Sequence, residues 1–169
     1  MKTIFVGIDN GVSGSIGIVG TPSSVFMLTP VFKEQDYQKT SPKKVSRLNH
    51  KALENFIFNN TFEHASADEI QILLERPMVM PGRFKASASA LRCHEATLIA
   101  IENMGLAYDY IDSKEWQKAL LPIGVKGSAE LKKASFDVGS RLFPSLAHLF
   151  ADDADGILIA EYCRRKYGK

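Results

Sequence analysis

The feature that most constrains the fold is the N-terminal segment, an apolar run that ends on an aspartate and continues into a glycine-rich turn. Residues 3–8 read TIFVGI, Asp9 follows, and a second apolar run occupies residues 15–19. A nearly continuous run of β-branched and aromatic residues is typical of a strand buried on both faces. Because Asn10-Gly11 is a strong hairpin signal, we predict two antiparallel strands with a carboxylate at the mouth of their turn.

The glycine-rich turn does not match two common functional motifs. A dinucleotide fingerprint would open a helix, whereas a second strand follows here. The segment GVSGS also misses the G-x-S-x-G spacing of a nucleophile elbow. Two interpretations of Asp9 remain, a metal-binding carboxylate and an ordinary turn aspartate. Gly11, Gly14 and Gly17 would leave room for a group to approach the backbone nearby.

Composition indicates one ordinary globular domain spanning residues 1–169. The chain is 45% hydrophobic and 24% charged, with a net charge of +2. It has neither a membrane-spanning run nor the pattern of a signal peptide, so we expect a cytoplasmic protein with no membrane partner. Cys93 and Cys163 suit a reducing compartment, and the four histidines are too scattered for a zinc site.

Two stretches are strongly basic. Residues 38–51 contain five basic side chains and no acid, and residues 164–169 contain four more. Each stretch is either a solvated face or a nucleic-acid contact, because a near-neutral net charge does not decide between them.

The order of predicted elements indicates an α/β fold. Three strands lie within residues 3–28, and a polar connection is expected over about 33–48. The remaining pattern predicts a helix at 51–60, a strand at 71–74, a loop, a helix at 86–104, a strand at 106–111, and helices at 113–120, 128–143 and from Asp152 onward. Three strands followed by alternating helices and strands predict a mixed sheet flanked by helices.

Charged residues recur where predicted elements begin or end. Glu75 ends an apolar strand as Asp9 does, and parallel strands would bring both carboxylates to one sheet edge. Asp152 and Asp155 are three residues apart and would share a helix face, whereas Asp153 would point about 100° away, toward solvent. An acidic first turn that complements the helix dipole is the alternative explanation of these aspartates.

Converging carboxylates would repel one another by about 4 kcal/mol per pair at 4 Å and an effective dielectric of about 20. Such a cluster needs cations, and oxygen ligands select hard ions such as Mg²⁺ or Mn²⁺. Two ions about 4 Å apart would activate a water and stabilise the leaving oxygen of a phosphodiester.

Five segments in order resemble RuvC-like Holliday junction resolvases of the RNase H-like superfamily, and most closely their phage-type branch. The segments are GIDNGVSGSIGIV, LLERPMVMPG, DSKEWQKAL, KKASFDVGSRLFP and DDADGILIAEY. The likeness covers most of the chain and is weakest over residues 30–65.

The resemblance implies a five-stranded mixed sheet, a three-strand antiparallel meander plus two parallel strands, with helices on both faces. It implies an endonuclease that cuts four-way DNA junctions with two Mg²⁺ or Mn²⁺ ions, leaves 5′-phosphate and 3′-hydroxyl ends and needs no nucleotide cofactor. By position, the metal-binding and catalytic acids are Asp9, Glu75, Asp152 and Asp155. Lys132 matches the active-site lysine, although the adjacent Lys133 leaves that register open. A four-way junction has approximate two-fold symmetry, so we expect a homodimer.

Candidate DNA contacts come from two places. Lys43, Lys44 and Arg47 lie in the first basic stretch, and Arg83 and Phe84 lie in the loop after Glu75. Some members of the family carry an aromatic wedge where this chain has Met78, so base stacking by Phe84 and ordinary packing both stay open. Trp116 is expected in the core.

Three alternatives to a resolvase follow from the same residues. A flap or branched-DNA nuclease of the same fold would use the same acids. A non-catalytic branched-DNA-binding protein would be expected to lack one acid, and none is missing. An actin-like sugar kinase or ATPase also begins with an aspartate and a glycine-rich hairpin, but it needs a second domain that 169 residues do not supply.

Overall fold

The computed structural model describes residues 1–20, 22–36, 40 and 43–168. This part of the chain forms seven strands and five α-helices, with short 3-10 segments at Ala67–Glu69 and Pro144–Leu149. The strands are β1 (Ile4–Ile8), β2 (Ser15–Val19), β3 (Val25–Leu28), β4 (Val31–Gln35), β5 (Lys44–Leu48), β6 (Ile70–Glu75) and β7 (Tyr108–Ile111). The helices are α1 (His50–Thr61), α2 (Phe84–Asn103), α3 (Ser113–Leu120), α4 (Ser128–Leu142) and α5 (Asp155–Tyr167). None of the helices described is long and apolar enough to cross a membrane.

The central sheet has five strands in the order β3-β2-β1-β6-β7. Strands β1, β2 and β3 pair antiparallel, and β6 and β7 run parallel to β1. The predicted meander with two added parallel strands is therefore confirmed. In the parallel pairing, Ile8 of β1 lies opposite Leu74 of β6, so both strands end at the same edge of the sheet.

Helices cover both faces of the sheet. The side chains of β1 alternate in direction, so they enter the two buried clusters in turn. Ile4, Val6 and Ile8 pack with residues of α1 and α2 on one face. Phe5 packs on the other face with residues of α3, α4 and α5. This arrangement confirms the predicted α/β architecture with helices on both sides.

Helix α5 lies unusually close to the sheet at two glycines. A Cβ atom on Gly7 would lie 2.2 Å from the Ala160 nitrogen, and one on Gly17 would lie 2.3 Å from the Ile157 Cα. The space beside Gly17 is therefore filled by the backbone of α5. Removing the side chains lets the helix approach the strands closely, which places the N-terminus of α5 beside the end of β1.

The prediction of a polar connection over residues 33–48 is wrong, because residues 33–35 and 44–48 belong to an antiparallel hairpin of β4 and β5. Residues 31–35 alternate between more and less exposed positions along the strand. The sequence does not show this alternation, because polar residues occupy both kinds of position. The end of β5 is anchored by Leu48, which is buried with residues of α1 and α2. Lys39, which belongs to the first basic stretch, lies outside the described residues.

Three helix starts differ from the predicted ones, and that of α1 differs by one residue, His50 instead of Lys51. Helix α2 begins at Phe84 rather than at Ala86. Helix α5 begins at Asp155 rather than at Asp152. Before α5, the Ala154 N–H donates to the Ser135 hydroxyl at 3.1 Å and the Asp155 N–H donates to the Asp153 carboxylate at 3.3 Å. These contacts hold residues 153 and 154 in a turn, so helical spacing does not apply to them.

Candidate active site

Asp9 and Glu75 lie side by side at the carboxyl edge of the sheet, as the sequence predicted. Each comes directly after, or ends, one of two paired parallel strands, with Ile8 opposite Leu74. The Asp9 N–H donates to the Ser15 carbonyl at 2.9 Å, which fixes the backbone at the turn. The two carboxyl groups are close enough for the charge of Glu75 to raise the pKa of Asp9.

Two aspartates at the start of α5 complete the cluster. One carboxylate oxygen from each of Asp9, Asp153 and Asp155 lies within 4.8 Å of the other two. Asp155 thus faces the site. The predictions for Asp152, expected at the site, and for Asp153, expected toward solvent, are reversed. The Asp153 side chain is only 12% exposed, whereas that of Asp152 is 79% exposed. The reason is the later start of α5, which removes the helical spacing on which the prediction rested.

The carboxyl groups of the cluster are strongly perturbed. Burial, followed by the charges of Glu75, Asp155 and Asp153, holds the pKa of Asp9 well above its usual range. Burial and the charge of Asp155 raise the pKa of Glu75 to about 7. Burial and the charge of Asp153 raise the pKa of Asp155 to about 6. Each carboxylate is therefore less stable in its charged form than it would be in water.

Lys132 on α4 provides a positive charge at this site. Its Nζ lies 3.3 Å from an oxygen of Asp153 and 3.5 Å from an oxygen of Asp152. Burial of the ammonium opposes its charge, but the two carboxylates outweigh it and raise the pKa of Lys132. Of the two adjacent lysines, Lys132 is thus the one that contacts the acidic cluster. Asp152 is linked to the cluster by its ion pair with Lys132.

Glu75 is supported from the side of α3. The hydroxyl of Ser113 and the indole N–H of Trp116 favour the charged form of Glu75 and offset part of the rise in its pKa. Trp116 is fully buried, as predicted. Its Nε1 lies near the carboxylate without forming a well-aligned hydrogen bond to a described residue.

Two serines that the sequence analysis missed hold the start of α5 in place. The Ser15 hydroxyl accepts from the Gly156 N–H at 3.0 Å. The Ser135 hydroxyl accepts from the Ala154 N–H at 3.1 Å and donates to the Asp155 carboxylate. Ser135 lies three residues after Lys132, hence on the same face of a helix. That spacing was a signal available in the sequence.

The donor set fits a hard divalent cation. Three carboxylates converge, and a fourth lies beside them, so a cation would relieve the repulsion that raises their pKa values. All of these ligand atoms are oxygens, which suits Mg²⁺ or Mn²⁺ better than a soft metal. Asp9, Asp153 and Asp155 are the residues that can hold such an ion, with Glu75 next to them.

The candidate DNA contacts lie on two surface features. Lys43, Lys44 and Arg47 are on the β4–β5 hairpin, where Arg47 forms an ion pair with Glu34 at 2.6 Å. In the other feature, Arg83 precedes α2, and Phe84, its first residue, is 81% exposed. Met78 is also largely exposed in the loop between β6 and α2.

The charges of the basic C-terminal tail are largely paired with acids of the same chain. Arg164 and Arg165 both pair with Glu161, at 2.7 and 2.8 Å. Lys166 lies 3.4 Å from Glu115. These contacts favour a structural role for the described part of the tail, and Lys169 lies outside the described residues.

No sequence model of a protein family matches the chain, and no curated protein sequence matches it. Among solved structures, Thermus thermophilus RuvC in complex with a Holliday junction substrate is similar, with a TM-score of 0.55 and 14% sequence identity. This match covers 98% of the present chain and 96% of the other. A further Thermus thermophilus RuvC structure aligns with a TM-score of 0.42 and 15% identity, which is too distant to add to the comparison. The first match shows that the chain has the RNase H-like fold of RuvC.

Proposed function

We propose that the protein is a metal-dependent endonuclease that resolves four-way DNA junctions. The observation that carries the proposal is the convergence of Asp9, Asp153 and Asp155 beside Glu75 at the carboxyl edge of a RuvC-like sheet. The similar structure is a RuvC complex with a Holliday junction substrate, which supports branched DNA as the ligand. The likeness of five segments to the phage-type branch stays a prediction from the sequence.

The residues of the site have three kinds of role in this proposal. Asp9, Asp153 and Asp155 hold divalent cations, two in number by analogy with the family, and Glu75 completes the ligand set. When bound, the cations supply Lewis acidity to the scissile phosphate and to an attacking water. Lys132 places a positive charge next to the cluster, where it stabilises negative charge that develops on the phosphate.

The shape of the substrate favours a homodimer. A four-way junction is approximately two-fold symmetric, and one chain provides one acidic cluster, so two paired cuts require two copies. Helix α2 carries an apolar side chain on its outer face, Leu91, which is 46% exposed. This face is our candidate for part of the dimer interface.

The experiment that tests the function compares DNA substrates of different shape. End-labelled four-way, flap and linear duplex DNA are incubated with the protein and Mg²⁺ or Mn²⁺, and the cuts are mapped at nucleotide resolution. We expect paired, symmetric nicks in the four-way junction that carry 5′-phosphate and 3′-hydroxyl ends and that DNA ligase can seal. EDTA should abolish the reaction.

The matched control is Asp9→Asn, which should bind the junction without cutting it, because it removes one carboxylate that faces the phosphate. Normal cleavage by this variant would remove Asp9 from the mechanism. Single cuts that favour the flap would assign the protein to the branched-DNA nucleases of the same fold. Binding without cleavage under any metal would leave the non-catalytic alternative.

A further inference from the structure

Two neighbouring grooves lie along α2 and share part of their lining. The first lies between β5 and α2 and has a volume of about 430 Å³. The second lies between the β1–β2 turn and the loop that precedes α2, and has a volume of about 320 Å³. Val12 and Ser89 line both grooves, so the grooves are adjacent at this point. We refer to the combined feature as the α2 trough.

The second groove of the α2 trough is lined by residues next in the chain to the candidate active site. Asn10 and Gly11 line this groove and follow Asp9 in the chain. Met78, three residues after Glu75, lines the same groove. A polymer lying in the trough would therefore pass the carboxylate cluster.

The charges of the α2 trough favour a polyanion. Arg47 lines the first groove near the hairpin, Arg92 lies farther along it on α2, and Arg83 lines the second groove. Glu95 is the one acidic residue among the described residues that line the two grooves. Arg47 is already paired with Glu34. Arg83 and Arg92 therefore outweigh Glu95 and leave the α2 trough positive.

The dimensions and the walls of the α2 trough suit a single strand. Each groove is at the lower end of the range of about 300–1,000 Å³ that is usual for small-molecule sites, a size that suits separate nucleotides. Apolar side chains also line it, among them Val12, Met78 and Met80. Single-stranded nucleic acid is commonly held by a positive groove in which the bases stack on aromatic side chains, and here apolar side chains would take the place of the aromatic ones.

We propose that the α2 trough holds one unpaired strand of the branched DNA, with phosphates against Arg83 and Arg92 and bases against Val12, Met78 and Met80. This inference rests on the proposed nuclease function and adds to it the path of the strand. It assigns Arg92, Ser89 and Val12, which the sequence analysis did not single out, to the DNA interface. The strand that enters the acidic cluster is then one separated from its partner at the branch point.

The test measures whether DNA covers Ser89, which lines both grooves. A thiol is introduced by Ser89→Cys, and its rate of alkylation by a maleimide is measured with and without an uncut four-way junction in EDTA. The matched control is Ala88→Cys, since Ala88 is the adjacent residue of α2 and lines neither groove. The native Cys93 and Cys163 are buried, and burial raises their thiol pKa values, so the unsubstituted protein provides the blank.

We expect the junction to protect Ser89→Cys but not Ala88→Cys. At a junction concentration about ten times its Kd, about a tenth of the protein is free, so alkylation of Ser89→Cys should slow by about tenfold. In a second measurement, Ser89→Leu fills the α2 trough and should weaken junction binding by about tenfold, the loss expected for one base contact. Ala88→Leu should bind as the unsubstituted protein does.

The possible failures are distinguishable. If the junction binds and is cut while Ser89→Cys reacts at an unchanged rate, the strand path is wrong and the nuclease function stands. If protection appears without DNA and increases with protein concentration, the α2 trough is covered by a second copy of the chain, which also overturns the proposal. If the unsubstituted protein does not bind the junction at all, the proposed function itself fails.

Discussion

Asp152 and Asp153 are neighbours in the chain with different surroundings. Asp153 is largely buried, lies within 4.8 Å of the carboxylates of Asp9 and Asp155, and accepts from the Asp155 N–H. Asp152 is mostly exposed, and its contact with the site is the 3.5 Å ion pair to Lys132. A cation held by the cluster would therefore contact Asp153, whereas Asp152 would act only through the lysine.

We therefore predict that Asp153→Asn abolishes cleavage and that Asp152→Asn retains most of it. Loss of a side chain that only supports a metal ligand typically costs 10–100-fold in activity, so loss of a ligand should cost at least about 100-fold. An exposed ion pair contributes about 0–1 kcal/mol, which limits the effect of Asp152→Asn to about fivefold. Single-turnover cleavage of a four-way junction measures both. The opposite order of effects would place Asp152 among the ligands after all.

Ser135 is the clearest supporting residue of the cluster, and α4 provides a matched control for it. Its hydroxyl contacts both Asp155 and the backbone that precedes α5. Five residues later, the hydroxyl of Ser140 is buried with no hydrogen-bond partner among the described residues. The two serines thus differ in contacts while sharing a helix.

Ser135→Ala should weaken Mn²⁺ binding by about 10–100-fold, since side chains that orient metal ligands have effects of this size. Ser140→Ala should leave Mn²⁺ binding unchanged, because it removes an unpaired buried hydroxyl. Calorimetric titration of each variant with Mn²⁺ measures the affinity directly. Equal affinities in the two variants would show that Ser135 does not orient Asp155 toward the metal.

At the level of elements, the sequence was most informative where local pattern and tertiary structure agree. The apolar runs before Asp9 and Glu75 predicted two strands and a shared edge, since buried parallel strands keep this pattern whatever packs on them. The start of α5 was placed wrongly because contacts of Ser135, which is distant in sequence, hold the preceding turn. The β4–β5 hairpin was missed because its polar residues hide a period-two alternation that is visible only from burial.

The packing of α5 on the sheet depends on glycine, so we predict that Gly7→Ala strongly destabilises the protein. A Cβ at Gly7 would lie 2.2–2.3 Å from backbone atoms of Ala160 and Gly156, and backbone cannot move aside as a flexible side chain can. Overpacking of a core costs about 1–3 kcal/mol and more where the backbone clashes, so we expect a loss of at least about 3 kcal/mol in the free energy of unfolding.

The control for this substitution is Gly82→Ala, because a Cβ at Gly82 would meet no atom within 4 Å. Its effect should stay within about 0.5 kcal/mol. Urea denaturation followed by circular dichroism measures both variants. A stable Gly7→Ala protein would mean that α5 can move away from β1, and the geometry of the carboxylate cluster would then need to be reconsidered.

The whole molecule is nearly neutral, with a net charge of +2, so the proposed affinity for DNA must come from local concentrations of charge. The tail provides little, because Arg164, Arg165 and Lys166 are paired with acids of the same chain. The β4–β5 hairpin forms a sheet separate from the central one and carries Lys43, Lys44 and Arg47 near one end of the α2 trough. Under the proposed function, the hairpin is our candidate for the surface that holds an arm of the substrate.

We predict that alanine substitutions at Lys43, Lys44 and Arg47 flatten the salt dependence of junction binding in unequal steps. Each lost phosphate contact should reduce the slope of log K against log salt by about 0.9. The step at Arg47 should be smaller than that at Lys44, because the Arg47 guanidinium already contacts Glu34 at 2.6 Å and lies 5.3 Å from the centre of the Phe32 ring. The measurement is the Kd for a four-way junction between about 50 and 200 mM salt, the range over which such contacts are screened most visibly. If the slope is the same in all three variants and in the unsubstituted protein, the hairpin is a solvated face and the arm of the junction is held elsewhere.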